Sequence, residues 1–417
     1  MSRLKRLTGL APGNQGPIFL VGLGHGGVHW IAATLYVVLP YATKSLGWSY
    51  AEASALVAVF HAASFLTNAV SGAAADLGDR RVEVQIVALV VGAAALASFA
   101  VLGALGVAAL AIAVAAMGFG NNLWHPAAIS YLGGRYPENR GYALSIHALG
   151  ANAGDAMAPL VVGGLVTLWG WRTGASVSAA VALLPALFIF FFLLRRERQQ
   201  AAAEAVDNAP TDAVSGLGSY YRQLAGVLGD RAIVVLCLMS GFRTMAQNGL
   251  LVFLPLYLSH GMGLSPAAMG LALGVMQAGG IVVAPLAGVW SDRLGRRPLV
   301  IGGLAIASAL IPALPYLGNY ALLLLGAGVM GMALFAVRPV VHGWLMDLAP
   351  PAMGGSATAL MFALQSGLSV VFLWLGGLIA DAHGFIPVFW LLGAAMAATT
   401  LIAALVPRRR GLQAHRD

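Results

Sequence analysis

Cysteine and charge are what this chain has least of. A single cysteine, Cys237, in 417 residues excludes a framework of internal disulfides and any cysteine-built metal cluster. Charged residues make up only 9% of the chain, where soluble domains carry about 25%. Hydrophobic residues make up 59%, more than one soluble core of this length can hide. The class is therefore a polytopic, all-α membrane protein. A Walker-type phosphate loop is also missing. GLGHGG at 22–27 lacks the Lys-Ser/Thr ending and precedes no soluble helix, so its glycines are read as sites of close helix approach. No catalytic carboxylate or nucleophile cluster gathers at a membrane face, which argues against an enzyme. A net charge of +8 would suggest nucleic acid in a soluble protein. In a membrane protein it follows from basic cytoplasmic loops, and no nucleic-acid partner is expected.

What the chain does have is long apolar runs. A span needs about 20 largely apolar residues, and twelve such runs are predicted: 18–40, 50–75, 83–103, 106–132, 140–168, 173–194, 231–259, 265–290, 298–317, 319–346, 354–381 and 385–406. The first is too long for a signal-peptide core and reads as a span. The only long polar break is 195–230. It divides the chain into six-helix bundles at 1–194 and 231–417. With both termini cytoplasmic, the outer loops hold only Lys44 and Arg172, while the inner segments hold nearly all the other basic residues, including Arg3, Lys5, Arg6, Arg135, Arg140 and Arg408–Arg410. That asymmetry sets the orientation in the cell (inner or plasma) membrane. The runs Arg195–Arg198 and Arg408–Arg410 are topology anchors that touch anionic lipid.

The halves repeat at a spacing near 215 residues. Leu39-Pro40 returns as Leu254-Pro255, Gly118 and Pro126 as Gly331 and Pro339, and Gly163-Gly164 as Gly376-Gly377. Gly72, Asp76 and Arg80 return as Gly288, Asp292 and Arg296. Two pseudo-symmetric six-helix bundles are the architecture of secondary transporters, whose site lies between the halves near the midplane.

Polar groups inside the spans mark the candidate site, because in hydrocarbon they are costly and must face protein or a water-filled cavity. They cluster most densely at 118–164, with Asn121, Asn122, Trp124, His125, His147, Asn152 and Asp155. Pairs four apart share a helix face: His25 with His29, Asn121 with His125, Arg243 with Gln247, Arg338 with His342, and Gln365 with Ser369. Substrate contacts are assigned to His25, His29, Asn121, Trp124, His125, Arg243, Gln247, Arg338, His342 and Gln365. Their excess of potential cations over acids favours an anionic small molecule, and arginine suits bidentate phosphonate, phosphate or carboxylate recognition. Asp155, His25 and His29 are the candidates for carrying a proton. The His25–His29 spacing has metal-ligand form, but no Glu accompanies it and no Cys lies near, so neither metal nor cofactor is expected.

At 288–297 the residues GVWSDRLGRR match the loop signature of the major facilitator superfamily, a Gly, three residues, then Asp-Arg-x-Gly-Arg-Arg. The resemblance implies a cytoplasmic latch at Gly288, Asp292, Arg293 and Arg296, with a degenerate copy at Gly72, Asp76 and Arg80. In that copy Leu77 replaces the usual Arg and Asp79 the usual Gly. GNNLWHPAA (120–128) and RGYALSIHALGANAGDAMAPL (140–160) resemble the fosmidomycin resistance protein family of proton-coupled drug exporters. Gly150, Gly154, Pro159, Gly163 and Gly164 resemble the fifth-helix signature of superfamily antiporters, with Asp155 where Pro is usual and Pro159 where Gly is usual. These resemblances imply a monomer that exchanges protons for an exported anion. The altered signature keeps open the opposite coupling, proton symport that imports an organic anion.

Overall fold

Glycine decides how closely the first and fifth spans meet, and that contact frames the rest of the chain. The computed structural model describes residues 10, 14–76, 80–102, 105–204, 226, 228–349 and 354–406. Arg3, Lys5, Arg6, Arg408–Arg410 and residues 205–225 and 227 of the predicted linker lie outside those residues, as do Leu77 and Asp79 and the side chains of Asp76 and Asp292.

The helices in order are α1 (Gly16–Leu46), α2 (Tyr50–Asp76), α3 (Arg81–Leu102) and α4 (Val107–Arg135). The run Arg140–Phe188 breaks at Gly170, whose φ of 76° is left-handed, into α5 (140–169) and α6 (171–188). Then come α7 (Arg231–Leu256), α8 (Pro266–Leu294), α9 (Arg296–Ala313), α10 (Tyr320–Leu348), α11 (Gly354–His383) and α12 (Phe385–Leu405). No strand occurs among the described residues. Among the described residues, ten helical runs are long and apolar enough to cross a membrane, and one of them, Arg140–Gln199, holds both α5 and α6. The helix α7 falls outside those ten; Arg231, Ser240, Arg243, Gln247 and Asn248 interrupt its apolar sequence.

Local chemistry explains several helix ends. Gly47 closes α1 at φ 68°. Asp230 caps α7 by accepting from the backbone N–H of Ala232 and Ile233. Ser265 caps α8, with Pro266 in the first turn. Two boundaries differ most from the sequence expectation: α1 runs on to Leu46 where the first span was predicted to end at 40, and helix continues past 194. The predicted linker starts at 195, but α6 runs on through a π-helical stretch, Ile189–Leu194, into the ten-residue helix Arg195–Glu204. Its RRERQQAAAE sequence is rich in strong helix formers. Contacts that hold it to the amino-terminal half include Tyr131 donating to Glu197 at 2.8 Å and Arg198 to Glu83 at 3.2 Å.

Packing repeats in the same way in the two halves. Contacts of α1 with α5, α2 with α4, and α3 with α4 return as α7 with α11, α8 with α10, and α9 with α10. The halves meet through α2 against α11 and α5 against α8, pairs that exchange when the halves are exchanged. The repeated glycines have repeated surroundings. A Cβ on Gly118 would collide with the Phe60 carbonyl of α2, and one on Gly331 with the Met276 carbonyl of α8. Gly163 abuts Pro266 of α8, and Gly377 abuts Ala51 and Ser54 of α2, so both sit at the contact between halves.

The closest crossing is α1 on α5. A Cβ on Gly150 would strike the Gly22 carbonyl, and one on Gly154 the Gly26 carbonyl. Two small-xxx-small faces therefore touch backbone to backbone. This approach brings the histidines of α1 onto the polar groups of α5.

Candidate functional site

In the amino-terminal half, three helices deliver one polar cluster. From α1, His25 places Nδ1 2.8 Å from the backbone carbonyl of His147 on α5. One turn on, His29 places Nδ1 3.0 Å from Oδ2 of Asp155, also on α5. From α4, His125 turns Nδ1 onto the Asn121 carbonyl at 2.8 Å and sets Nε2 3.3 Å from Nε2 of His25. The His25 and His147 rings stack with centroids 3.7 Å apart. Trp124, fully buried, donates from its indole to His147 Nε2 at 3.3 Å. His29 and Asp155 keep 13% and 17% of their side-chain surface exposed, so the pair sits at an edge reached from outside the packed core.

The six amino-terminal residues assigned from sequence, His25, His29, Asn121, Trp124, His125 and Asp155, thus meet in one place. His147 belongs to the same cluster. The sequence marked it as a polar interruption without giving it a role, because its partners lie on α1 and α4. His61 of α2 stands apart: it is buried against Phe60 with Nε2 unpartnered.

The carboxy-terminal half is built differently. Arg243 of α7 is 4% exposed and donates to Gln247 at 2.9 Å, to the Leu334 carbonyl at 3.4 Å and to Thr244 at 3.1 Å, while its Nε has no partner. Arg338 of α10 is half-buried. It lies within electrostatic reach of Arg243 and His342 in its own half and of His125 in the other. Among the described residues, neither arginine has a carboxylate within ion-pair distance. His342 packs against Phe362. Gln365 donates to Ser240 at 2.8 Å, and Asn248 donates to Ser369 at 3.0 Å, linking α7 to α11. Between the halves, a small cavity is lined by Ala33, Tyr36 and Pro159 on one side and Leu251, Leu273 and Gln277 on the other.

The direct hydrogen bonds between halves, among the described residues, lie at the membrane face where α1 ends and α2 begins. Asp381 at the end of α11 accepts from the backbone N–H of Tyr50 and Ala51 at 2.7 and 2.9 Å. His260, after α7, sets Nε2 2.9 Å from the Pro40 carbonyl and Nδ1 3.3 Å from the Tyr50 hydroxyl. Ala267 donates to Thr167 at 3.0 Å, and Tyr41 approaches the Met269 sulfur. The sequence reading missed Asp381 and His260. An acid at the very end of a predicted span was the available signal, but its partner lies more than 300 residues away.

At the opposite face, Arg296 is bound within its own half, to Asp347 at 3.1 Å and to Ser291 at 2.7 Å. Arg293 and Arg80 are exposed, and Gly288 is half-buried. Gly72, Asp76 and Asp292 fall where side-chain surroundings lie outside the described residues.

Comparison with known proteins agrees with this architecture. Solved structures of the nucleoside transporter NupG and of the peptide transporter POT in complex with sulfate each superpose with a TM-score of 0.71. NupG is 14% identical, covering 94% of this chain and 98% of that one; POT is 19% identical, covering 94% of each. At such identity the likeness is one of fold. Among curated relatives, the inner membrane transport protein YajR of Escherichia coli (strain K12) is 31% identical over 171 residues, 39% of this chain and 36% of the relative. The glycine betaine/proline/ectoine/pipecolic acid transporter OusA of Dickeya dadantii (strain 3937) is 25% identical over 201 residues, 47% of this chain and 40% of the relative. The quinolone resistance protein NorA of Staphylococcus aureus (strain Mu50 / ATCC 700699) is 26% identical over 137 residues, 33% of this chain and 35% of the relative. The chain thus spans well under half the length of each of these curated relatives. The family model, by contrast, matches at 19–243 and 236–416, one match over each half, and the chain belongs to the Major Facilitator Superfamily.

Proposed function

We propose that the chain is a proton-coupled secondary transporter, not an enzyme, that exports an anionic small molecule of phosphonate or carboxylate type by alternating access. The observation that carries this reading is the arginine pair. On insertion scales an arginine at the centre of a span costs about 2.5–3.5 kcal/mol. Arg243 and Arg338 bear that cost near each other without a carboxylate partner among the described residues. A bound anion relieves it. Gln247 orients Arg243, and His125, His342 and Gln365 supply further polar contacts around the path between halves.

The proton side of the reading rests on His29 and Asp155, a hydrogen-bonded acid and base at the edge of the amino-terminal cluster. Protonation of either group breaks the balance of charge within the pair. The hydrogen bonds gathered at one face support a state closed there, from which the halves rock about the midplane. Arg296 with Asp347 supports a latch at the other face.

Export is favoured over uptake by the resemblance of 120–128 and 140–160 to the fosmidomycin resistance family, and by the resistance protein among the relatives. The second reading, proton symport importing an organic anion, uses the same residues. It is favoured by one feature, Asp155 in place of the usual antiporter proline. On either reading the working unit is a monomer in the cell (inner or plasma) membrane with both termini cytoplasmic. Its bundles are 1–194 and 231–417, joined by 195–230.

The test is ligand-induced thermal stabilisation of the purified chain against a panel of phosphonates, carboxylates and quaternary amines. Stabilisation by anions, absent from the amines, is the expected result. Stabilisation by amines alone would sink the anion reading.

A further inference from the structure

Hydrogen-bond direction fixes the tautomers of three histidines in the amino-terminal cluster. A carbonyl oxygen only accepts, so Nδ1 of His25, on the His147 carbonyl, carries its proton. The same holds for Nδ1 of His125 on the Asn121 carbonyl. In each neutral ring Nε2 is then a bare lone pair, and these two lone pairs face each other at 3.3 Å. Two acceptors at that distance repel unless a positive centre lies between them. His29 adds a third. Its Nδ1 is engaged by Asp155, and its Nε2 is buried with no partner. Ligand atoms of His25, His29 and His125 all lie within 4.8 Å of one another.

We propose that His25, His29 and His125 bind one divalent cation of the zinc class through their Nε2 atoms. A proton shared by His25 and His125 would relieve one pair and leave His29 Nε2 unsatisfied. A metal ion satisfies all three. Two nitrogens bound to one tetrahedral zinc at about 2.0–2.1 Å stand about 3.3–3.4 Å apart, which is the separation found between His25 and His125. His29 offers a ligand nitrogen within 4.8 Å of both.

The surroundings have the form that metal-bound histidines show. Each ring presents its other nitrogen to an oxygen acceptor: a carbonyl for His25, a carbonyl for His125 and a carboxylate for His29. Such partners hold the tautomer and raise ligand basicity. The stacked His147 ring locks His25 in place and is not itself a ligand, since its Nε2 accepts from Trp124. Three imidazoles select a borderline ion such as Zn²⁺, Co²⁺ or Ni²⁺ over Mg²⁺ or Ca²⁺, which take oxygen ligands. Three protein ligands leave a fourth position for water or an exchangeable ligand. Arg338, within electrostatic reach of His125, opposes a cation at this site. All three ligands belong to α1 and α4, so the ion travels with the amino-terminal half and does not tie the halves together. The sequence showed only the His25–His29 pair; the third ligand arrives from 96 positions beyond His29, by packing.

This site shares His29 and His125 with the transport reading but does not depend on it, and its test uses no substrate. The full, tag-free chain in nanodiscs is stripped with chelator and titrated with Co²⁺, then with competing Zn²⁺. The expected result is one Co²⁺ per chain with the visible absorption of a four-coordinate nitrogen site, displaced by Zn²⁺. His125→Ala should abolish the spectrum. Asp155→Asn, which removes the carboxylate behind His29, should weaken binding by about 10–100-fold. His61→Ala, which alters a buried histidine on α2 outside the cluster, should leave binding unchanged. Should His125→Ala fold poorly, His29→Gln at the exposed edge of the cluster serves in its place, with the same expected loss. No Co²⁺ spectrum in the native chain at submillimolar metal would overturn the proposal. So would a spectrum that survives both ligand substitutions.

Discussion

The two halves share a backbone plan and differ in what they do with charge. In the amino-terminal half, His25, His29, His125 and Asp155 are tied to one another or to carbonyls, and their partners are the protein itself. In the carboxy-terminal half, Arg243 and Arg338 have no carboxylate to meet among the described residues. His125 and Arg338 occupy corresponding places in the repeat, each followed by proline, yet one is a titratable ring and the other a permanent cation. A duplicated fold therefore carries two chemistries: one half suited to binding a small cation, proton or metal, and the other suited to an anion.

The sharpest way to break this comparison is Arg338→Ala. Removing one charge from a desolvated recognition pair costs about 2–5 kcal/mol, so anion binding by calorimetry should weaken about 30-fold or more, with the fold intact by circular dichroism. Asp155→Asn acts on the other half alone. Anion binding should stay near native, while accumulation driven by a pH gradient should fall to the level reached without one; retained coupling would move the proton to the histidines. Gly150→Ala tests the crossing that assembles the amino-terminal cluster. Its methyl group meets the Gly22 carbonyl, and overpacking of this kind costs about 1–3 kcal/mol, which a lowered unfolding midpoint in detergent would report. Asp381→Asn is the mildest. It loses the charge that holds the Tyr50 and Ala51 amides, about 1 kcal/mol in net stability of the closed face. Spin-label distances across that face should show a larger open population.

Much of this was legible in the sequence because membrane helices announce themselves by length and apolarity. The repeat was legible too: Gly118 and Gly331 sit against equivalent carbonyls, while the second glycine pair is offset by one, since Gly163 and Gly377, rather than Gly163 and Gly376, meet the other half. The i,i+4 pairs His25–His29 and Arg243–Gln247 pointed to inward faces, since a polar group on an apolar helix has few other places to go. What could not be read was convergence between helices. His147 joins His25 across the α1–α5 crossing, Asp155 selects His29, and Asp381 reaches Tyr50, each across more than 100 residues. Helical periodicity says which face a residue shares, but not which helix that face meets. The extension of α6 through Arg195–Glu204 was missed for a different reason. Its polarity read only as a break between the two bundles, although its residues favour helix.

The most direct test of the division of labour is proton flux in energised inside-out vesicles on addition of phosphonates and carboxylates. The native chain should dissipate the pH gradient when an accepted anion is added. Arg338→Ala should abolish that response at any anion concentration reached, and Asp155→Asn should abolish it while the anion still binds. A gradient that collapses equally in native and Arg338→Ala vesicles would contradict the account.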